Sequence, residues 1–127
     1  MLKKCLFVSA ILASSFGAYS QQIQSINHLS SYSTGNVDAA ETVAYDAASK
    51  RSFFTSSSTN ELGILDVSDP LNPSLITTVD LSTYGGGPNS VDTKDGVVAV
   101  AIEANTKTDN GYVVFFDTTG NYLGQVT

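Results

Sequence analysis

The sequence predicts an all-β fold: antiparallel four-stranded blades of a β-propeller, with about two blades present and the ring incomplete. Three observations predict it. Short apolar or alternating runs bounded by Gly, Asn, Asp, Ser and Pro recur along the chain, and past the first twenty residues no apolar pattern has helical spacing. The stretch Ile64-Leu65-Asp66-Val67-Ser68-Asp69-Pro70-Leu71-Asn72-Pro73 reads as a strand and a stiff turn, and an alternating strand follows it over residues 75–81. A weaker copy of the whole unit begins roughly fifty residues later.

Residues 1–20 read as a signal peptide. Lys3 and Lys4 make a positive start, Cys5 to Ala13 an apolar core, and Ala18-Tyr19-Ser20 a small-residue exit that places cleavage before Gln21. The apolar run is shorter than the roughly 20 residues a membrane helix needs, and no later segment approaches that length, so no transmembrane segment is expected. The expected destination is outside the cytoplasm: secreted, periplasmic or on the cell surface. Cys5 is the only cysteine, so a cleaved chain has neither disulfides nor thiolate metal ligands.

Residues 21–39 are polar and Ser-rich and read as a lead-in, expected to meet the closing blade of a complete ring. Residues 40–127 hold the two blades. Strands are expected over residues 41–45, 52–56, 62–67 and 75–80, then over 90–94, 97–102, 112–116 and 122–126. The halves superpose: Val43-Ala44-Tyr45-Asp46 on Val91-Asp92-Thr93-Lys94, Phe53-Phe54-Thr55 on Val98-Ala99-Val100, and Ile64-Leu65-Asp66 on Phe115-Phe116-Asp117. In the first turn Pro70 and Pro73 cannot donate to a ladder, while Asp69 and Asn72 can close the bend through nearby amides. Leu75, Thr77, Val79 and Leu81 are expected on one face of the return strand. Residues 97–102 and 112–116 are apolar at nearly every position, as expected of strands sandwiched between neighbouring sheets. Closed propellers have about four to eight blades, so the expectation is an amino-terminal portion completed by missing blades of the same chain, and by itself prone to associate through its last strand.

Charge narrows the partners. Past the leader, Lys50, Arg51, Lys94 and Lys107 face twelve carboxylates in a chain of formal charge −6, which makes nucleic acid a poor partner. Gly85-Gly86-Gly87 lacks the Gly-Lys-Ser/Thr ending of a phosphate cradle and reads as a flexible loop between blades. His28, the single histidine, sits among polar residues and reads as a solvated loop residue. Asp66, Asp69, Asp109 and Asp117 cluster at turns without calcium-loop spacing. Asn72 is followed by Pro73, which blocks glycosylation there. Glu41 and Glu103 stand out, because each adjoins an otherwise apolar strand where an unpaired carboxylate is costly. They are the metal-ligand candidates, for calcium or another divalent cation at the channel mouth, and the alternative for Glu41 is an ion pair with Lys or Arg of another blade.

Beyond the Asp-Val-Ser-Asp-Pro stretch, the chain carries Ser31-Tyr32-Ser33-Thr34-Gly35, Ala40-Glu41-Thr42-Val43-Ala44-Tyr45-Asp46, Tyr84-Gly85-Gly86-Gly87-Pro88-Asn89-Ser90-Val91, Asp95-Gly96-Val97-Val98-Ala99-Val100-Ala101-Ile102-Glu103-Ala104 and Gly111-Tyr112-Val113-Val114-Phe115-Phe116-Asp117. Together these resemble the start of the choice-of-anchor I domain family, related to mesenchyme-specific cell-surface glycoproteins. The resemblance implies a secreted or surface-attached β-propeller, often in a long protein with a sorting or anchoring signal at its carboxy-terminal end. Some relatives are labelled alkaline-phosphatase-like or phytase-like. Two functions follow as expectations: a binding scaffold for an extracellular protein or matrix component, with the loops over residues 85–89 and 104–111 forming part of the binding face, or a metal-dependent phosphoester hydrolase with carboxylates at the channel mouth. Arg51-Ser52 departs from the more aliphatic strand entry of that pattern.

Overall fold

The computed structural model describes residues 25–35 and 40–127. The expected signal peptide and its cleavage point lie outside the described residues, as does part of the lead-in. Eight strands follow in chain order: β1 (Thr42–Asp46), β2 (Arg51–Ser56), β3 (Glu61–Asp66), β4 (Ser74–Asp80), β5 (Gly87–Lys94), β6 (Val97–Glu103), β7 (Tyr112–Asp117) and β8 (Tyr122–Val126). They form two four-stranded antiparallel sheets, β1-β2-β3-β4 and β5-β6-β7-β8, each a simple meander. Among the described residues no helix is long and apolar enough to cross a membrane.

Every expected strand is present, with no end shifted by more than three residues. The first begins at Thr42 rather than Glu41 and takes in Asp46, and β5 begins at Gly87 rather than Ser90. Turn chemistry sets these limits. Lys50 and Asn60, at φ 54° and 53°, end the β1–β2 and β2–β3 turns in the left-handed region, and Asp95-Gly96, at 51° and 81°, makes a tight two-residue hairpin turn. In the β3–β4 turn Asp69 accepts from the Leu71 amide at 3.0 Å and from Asn72 Nδ2 at 2.8 Å, closing the bend as its sequence implies. Asp117 does the same after β7, accepting from the Thr119 and Asn121 amides at 2.7 and 3.0 Å and from both side chains.

Register assigns the faces. Ala44, Phe53 and Ile64 stand opposite one another across β1, β2 and β3, as do Val91, Val100 and Val114 across β5, β6 and β7. These two rows meet in one core: Phe53, Leu62, Ile64 and Leu81 of the first unit pack with Val91, Val98, Val100, Ile102, Val114 and Phe116 of the second. Strand β5 lies against β1 and β2. At one end Arg51 Nη1 donates to the Thr118 carbonyl at 2.6 Å, and at the other Asn60 Nδ2 donates to the Gly85 carbonyl at 3.4 Å. Arg51, out of place as a strand entry by sequence, therefore reaches across to the second sheet.

Two expectations need correction. Leu75 does not share the face of Thr77 and Val79: the ladder shifts between Ile64 and Leu65, so Leu75 pairs with Leu65 while Thr77 pairs with Ile64. The extra residue, Ile76, turns Leu75 to the opposite face and leaves it 44% exposed. Strands β6 and β7 are not equally buried on both faces. Val98, Val100, Ile102, Val114 and Phe116 are buried, but Ala99, Ala101, Val113 and Phe115 are only half-buried, because one face alone meets the other sheet.

On the far face of the first sheet, Phe54 lies across Gly63, where a Cβ would overlap its ring. Tyr32 of the lead-in packs on that ring at a centroid distance of 6.4 Å, and Ser30 Oγ donates to the Pro70 carbonyl at 2.6 Å. The lead-in thus runs over the first sheet. Val43, Tyr45 and Leu75 of the same face are exposed.

The turn carboxylates make stability depend on pH. Bonds from Thr119 and Asn121 hold the Asp117 carboxyl well below its ordinary value, and bonds from Asn72 and then the Leu71 amide lower that of Asp69. A carboxyl lowered by folding contributes its full stabilisation above its unfolded pKa, about 3.9, and loses it as pH falls through the folded value. The melting temperature is therefore expected to hold steady above about pH 5 and to fall progressively below about pH 4. Asp117→Ala should melt lower at neutral pH and show a shallower acid decline, both readable by circular dichroism.

Candidate functional site

Strand direction divides the molecule into two unlike ends. The β1–β2, β3–β4, β5–β6 and β7–β8 turns lie at one end, and four carboxylates there close turns: Asp46 accepts from the Ser49 amide, Asp66 from that of Ser68, and Asp69 and Asp117 as above. Residues 57–60, the inter-sheet connection 81–86 and the loop 104–111 lie at the other. This second end holds both metal-ligand candidates.

Glu41 precedes β1. Its amide donates to the Thr55 carbonyl at 3.0 Å, and its exposed carboxylate accepts a hydrogen bond from Ser57 Oγ. Exposure removes the burial cost that singled it out in the sequence. Glu103 closes β6, half-buried and opposite Gly87. The fold brings the two to the same end but on different sheets. Among the described residues no group of three or more His, Cys, Asp or Glu is arranged to hold a metal ion. A cation at either glutamate would find no set of three such side chains among the described residues. His28 is exposed in the lead-in, its Nε2 2.8 Å from Ser31 Oγ.

The glycine run differs from the flexible loop expected of it. Gly85 and Gly87 are buried, Gly87 opens β5, and the Gly86 amide donates to the Glu103 carbonyl at 2.8 Å. A Cβ at Gly85 would collide with that same carbonyl, so the main chain approaches β6 as closely as it can. The glycines bind the connection to the sheet, and the residue before them, Tyr84, is held in turn. Its ring stacks on Tyr122 at 5.8 Å and 10° and meets Phe116 edge-on at 5.9 Å and 83°.

Between this connection, the 104–110 loop and β8 lies a groove of about 330 Å³, bordered by Tyr84, Tyr112, Asn105, Asp109, Asn110 and Gln125. A second hollow of about 340 Å³, on the other side of the same loop, takes in Glu103, Lys107 and Thr127. Sequence reasoning placed the loops over residues 85–89 and 104–111 on a binding face, and it missed that they meet β8 around one groove, because that needs three separate segments together. The one local signal was an aromatic residue directly before three glycines.

Paired meandering four-stranded sheets that share one apolar core define a β-repeat domain. The chain belongs to the choice-of-anchor I domain family, whose model matches residues 41–127. Searches of curated proteins and of solved structures found no match.

Proposed function

We propose that this protein is an exported, surface-associated scaffold in which the two sheets are consecutive blades of a β-propeller, and that the end bearing residues 81–86 and 104–111 binds an extracellular protein or matrix component. On this reading residues 1–20 are a signal peptide, residues 21–39 the lead-in, and residues 40–127 two blades whose outward faces are covered by further blades. The observation that carries it is the contrast between the two ends. At one end Asp69 and Asp117 are engaged in turn closure, while the other carries the 104–111 loop and the two hollows beside it. Family membership and the positive, apolar, small-residue order of the first twenty residues support the location.

The test is binding of the full chain to immobilised fibronectin, collagen and laminin, with residues 104–110 replaced by an Asn-Gly hairpin turn in one variant. Binding is expected to vanish in that variant at unchanged melting temperature, and to survive Asn121→Ala at the other end. Failure of the intact chain to bind any of the three above an albumin control counts against the reading.

The second reading, a metal-dependent phosphoester hydrolase, rests on the emergence of Glu41 and Glu103 at the same end. It predicts a calcium-dependent rise in melting temperature, since a ligand bound only by the native state stabilises it, together with turnover of p-nitrophenyl phosphate. Turnover lost in Glu41→Gln and Glu103→Gln would replace the scaffold reading. Absence of both effects removes the hydrolase.

A further inference from the structure

We propose that the groove between Tyr84 and the 104–110 loop is a binding site for a neutral carbohydrate. This deepens the scaffold reading and rests on it, because it assigns a ligand class to the same end of the molecule.

The argument starts from the walls. The groove is bordered by Tyr84, one face of whose ring is stacked on Tyr122, and by Tyr112, beside side-chain amides at Asn105, Asn110 and Gln125. Amides present a donor and an acceptor together, the pattern that matches vicinal hydroxyls, and a tyrosine face, negative at its centre, suits the polarised C–H groups of a sugar ring. Charge excludes the main competitors. No Lys, Arg or His borders the groove and Asp109 does, so a phosphate or carboxylate ligand meets no cation and one repelling carboxylate. A single carboxylate is also too little to hold a divalent cation. An apolar ligand would strand the amides without partners.

Size and rigidity agree. A volume of about 330 Å³ lies at the small end of the roughly 300–1,000 Å³ of small-molecule sites, enough for about one or two sugar rings. One wall is fixed in advance: Tyr84 is clamped by Tyr122 and Phe116, and Gly86 is bonded to β6. The opposite loop is tied by the Asp109 amide, which donates to the Thr106 carbonyl at 2.9 Å. Pre-set walls lower the ordering cost of binding. The groove also lies between the connection and the core-facing side of the second sheet, so it is complete without any neighbour on the outward faces.

The chain has no tryptophan, and Tyr84 and Tyr112 are two of its six tyrosines, so a ligand-dependent change in tyrosine emission is assigned to the groove by its loss in Tyr84→Phe and Tyr112→Phe variants. The full chain is titrated with glucose, galactose, N-acetylglucosamine and their β-linked disaccharides, with glucose 6-phosphate and glucuronate as anionic controls. At least one neutral sugar is expected to change the emission saturably. Asn105→Ala and Gln125→Ala should each weaken it by about tenfold or more, a change of about 1.4 kcal/mol, at unchanged melting temperature. The proposal is overturned when no neutral sugar saturates, when an anionic control binds as tightly, or when both variants bind like the parent. Matrix-protein binding that persists without sugar binding removes this inference alone. Sugar binding without matrix-protein binding removes the protein-partner reading and leaves the groove.

Discussion

Phe53→Ala is expected to destabilise the protein by about 3–5 kcal/mol, the usual cost of emptying a phenylalanine site in a closed core. Phe53 is fully buried, stands opposite Ala44 and Ile64, and belongs to the cluster that joins the first sheet to Val91, Val98 and Val100 of the second. Its loss opens a cavity at the seam rather than within one sheet. Urea denaturation should show a lower midpoint at similar slope, with Val43→Ala as the control. Val43 is on the opposite face and 69% exposed, so its truncation should change stability by no more than about 0.5 kcal/mol. A cost below about 1 kcal/mol at Phe53 would mean the sheets do not pack through this face.

Gly63→Val is the second large effect. Any side chain at position 63 enters the space of the Phe54 ring, so Phe54 must leave its site and Tyr32 loses its platform. Overpacking alone costs about 1–3 kcal/mol, and exposing a buried aromatic adds to it. The double variant Gly63→Val with Phe54→Ala is expected to recover part of the loss, since the added methyls then fill the vacated space. A double variant less stable than both singles would contradict the overlap as the cause. Near-ultraviolet circular dichroism should follow the displacement of Tyr32 in the single variant.

The strands were legible because their signals are local. Short apolar runs within residues 52–56 and 62–67, Asp-Gly at 95–96 and the paired prolines at 70 and 73 each act within a few residues. Bulges were not legible. An inserted residue such as Ile76 is as apolar as its neighbours, and only the partner strand reveals that Leu75 has changed sides. The long-range contacts were hidden for a related reason. Tyr84 with Tyr122, and Gly85 with the Glu103 carbonyl, join segments whose proximity depends on how the second sheet folds back on the connection. At the candidate site, topology brings Glu41 and Glu103 to one end, as the repeat implied. Glu41 was overvalued because its neighbour strand is apolar while it precedes that strand and faces solvent. The loops over residues 85–89 and 104–111 were marked as parts of a binding face, but that they meet β8 around one groove depends on how the second sheet folds back.

The Arg51 bond to the Thr118 carbonyl has a consequence for how the sheets are aligned. Apolar packing is non-directional, so a seam of Phe, Val, Ile and Leu side chains resists separation better than it resists sliding. A charged guanidinium bonded at 2.6 Å to one particular carbonyl tolerates little lateral travel. It works as an index pin: the greasy surface supplies the adhesion, and one polar tooth chooses the notch.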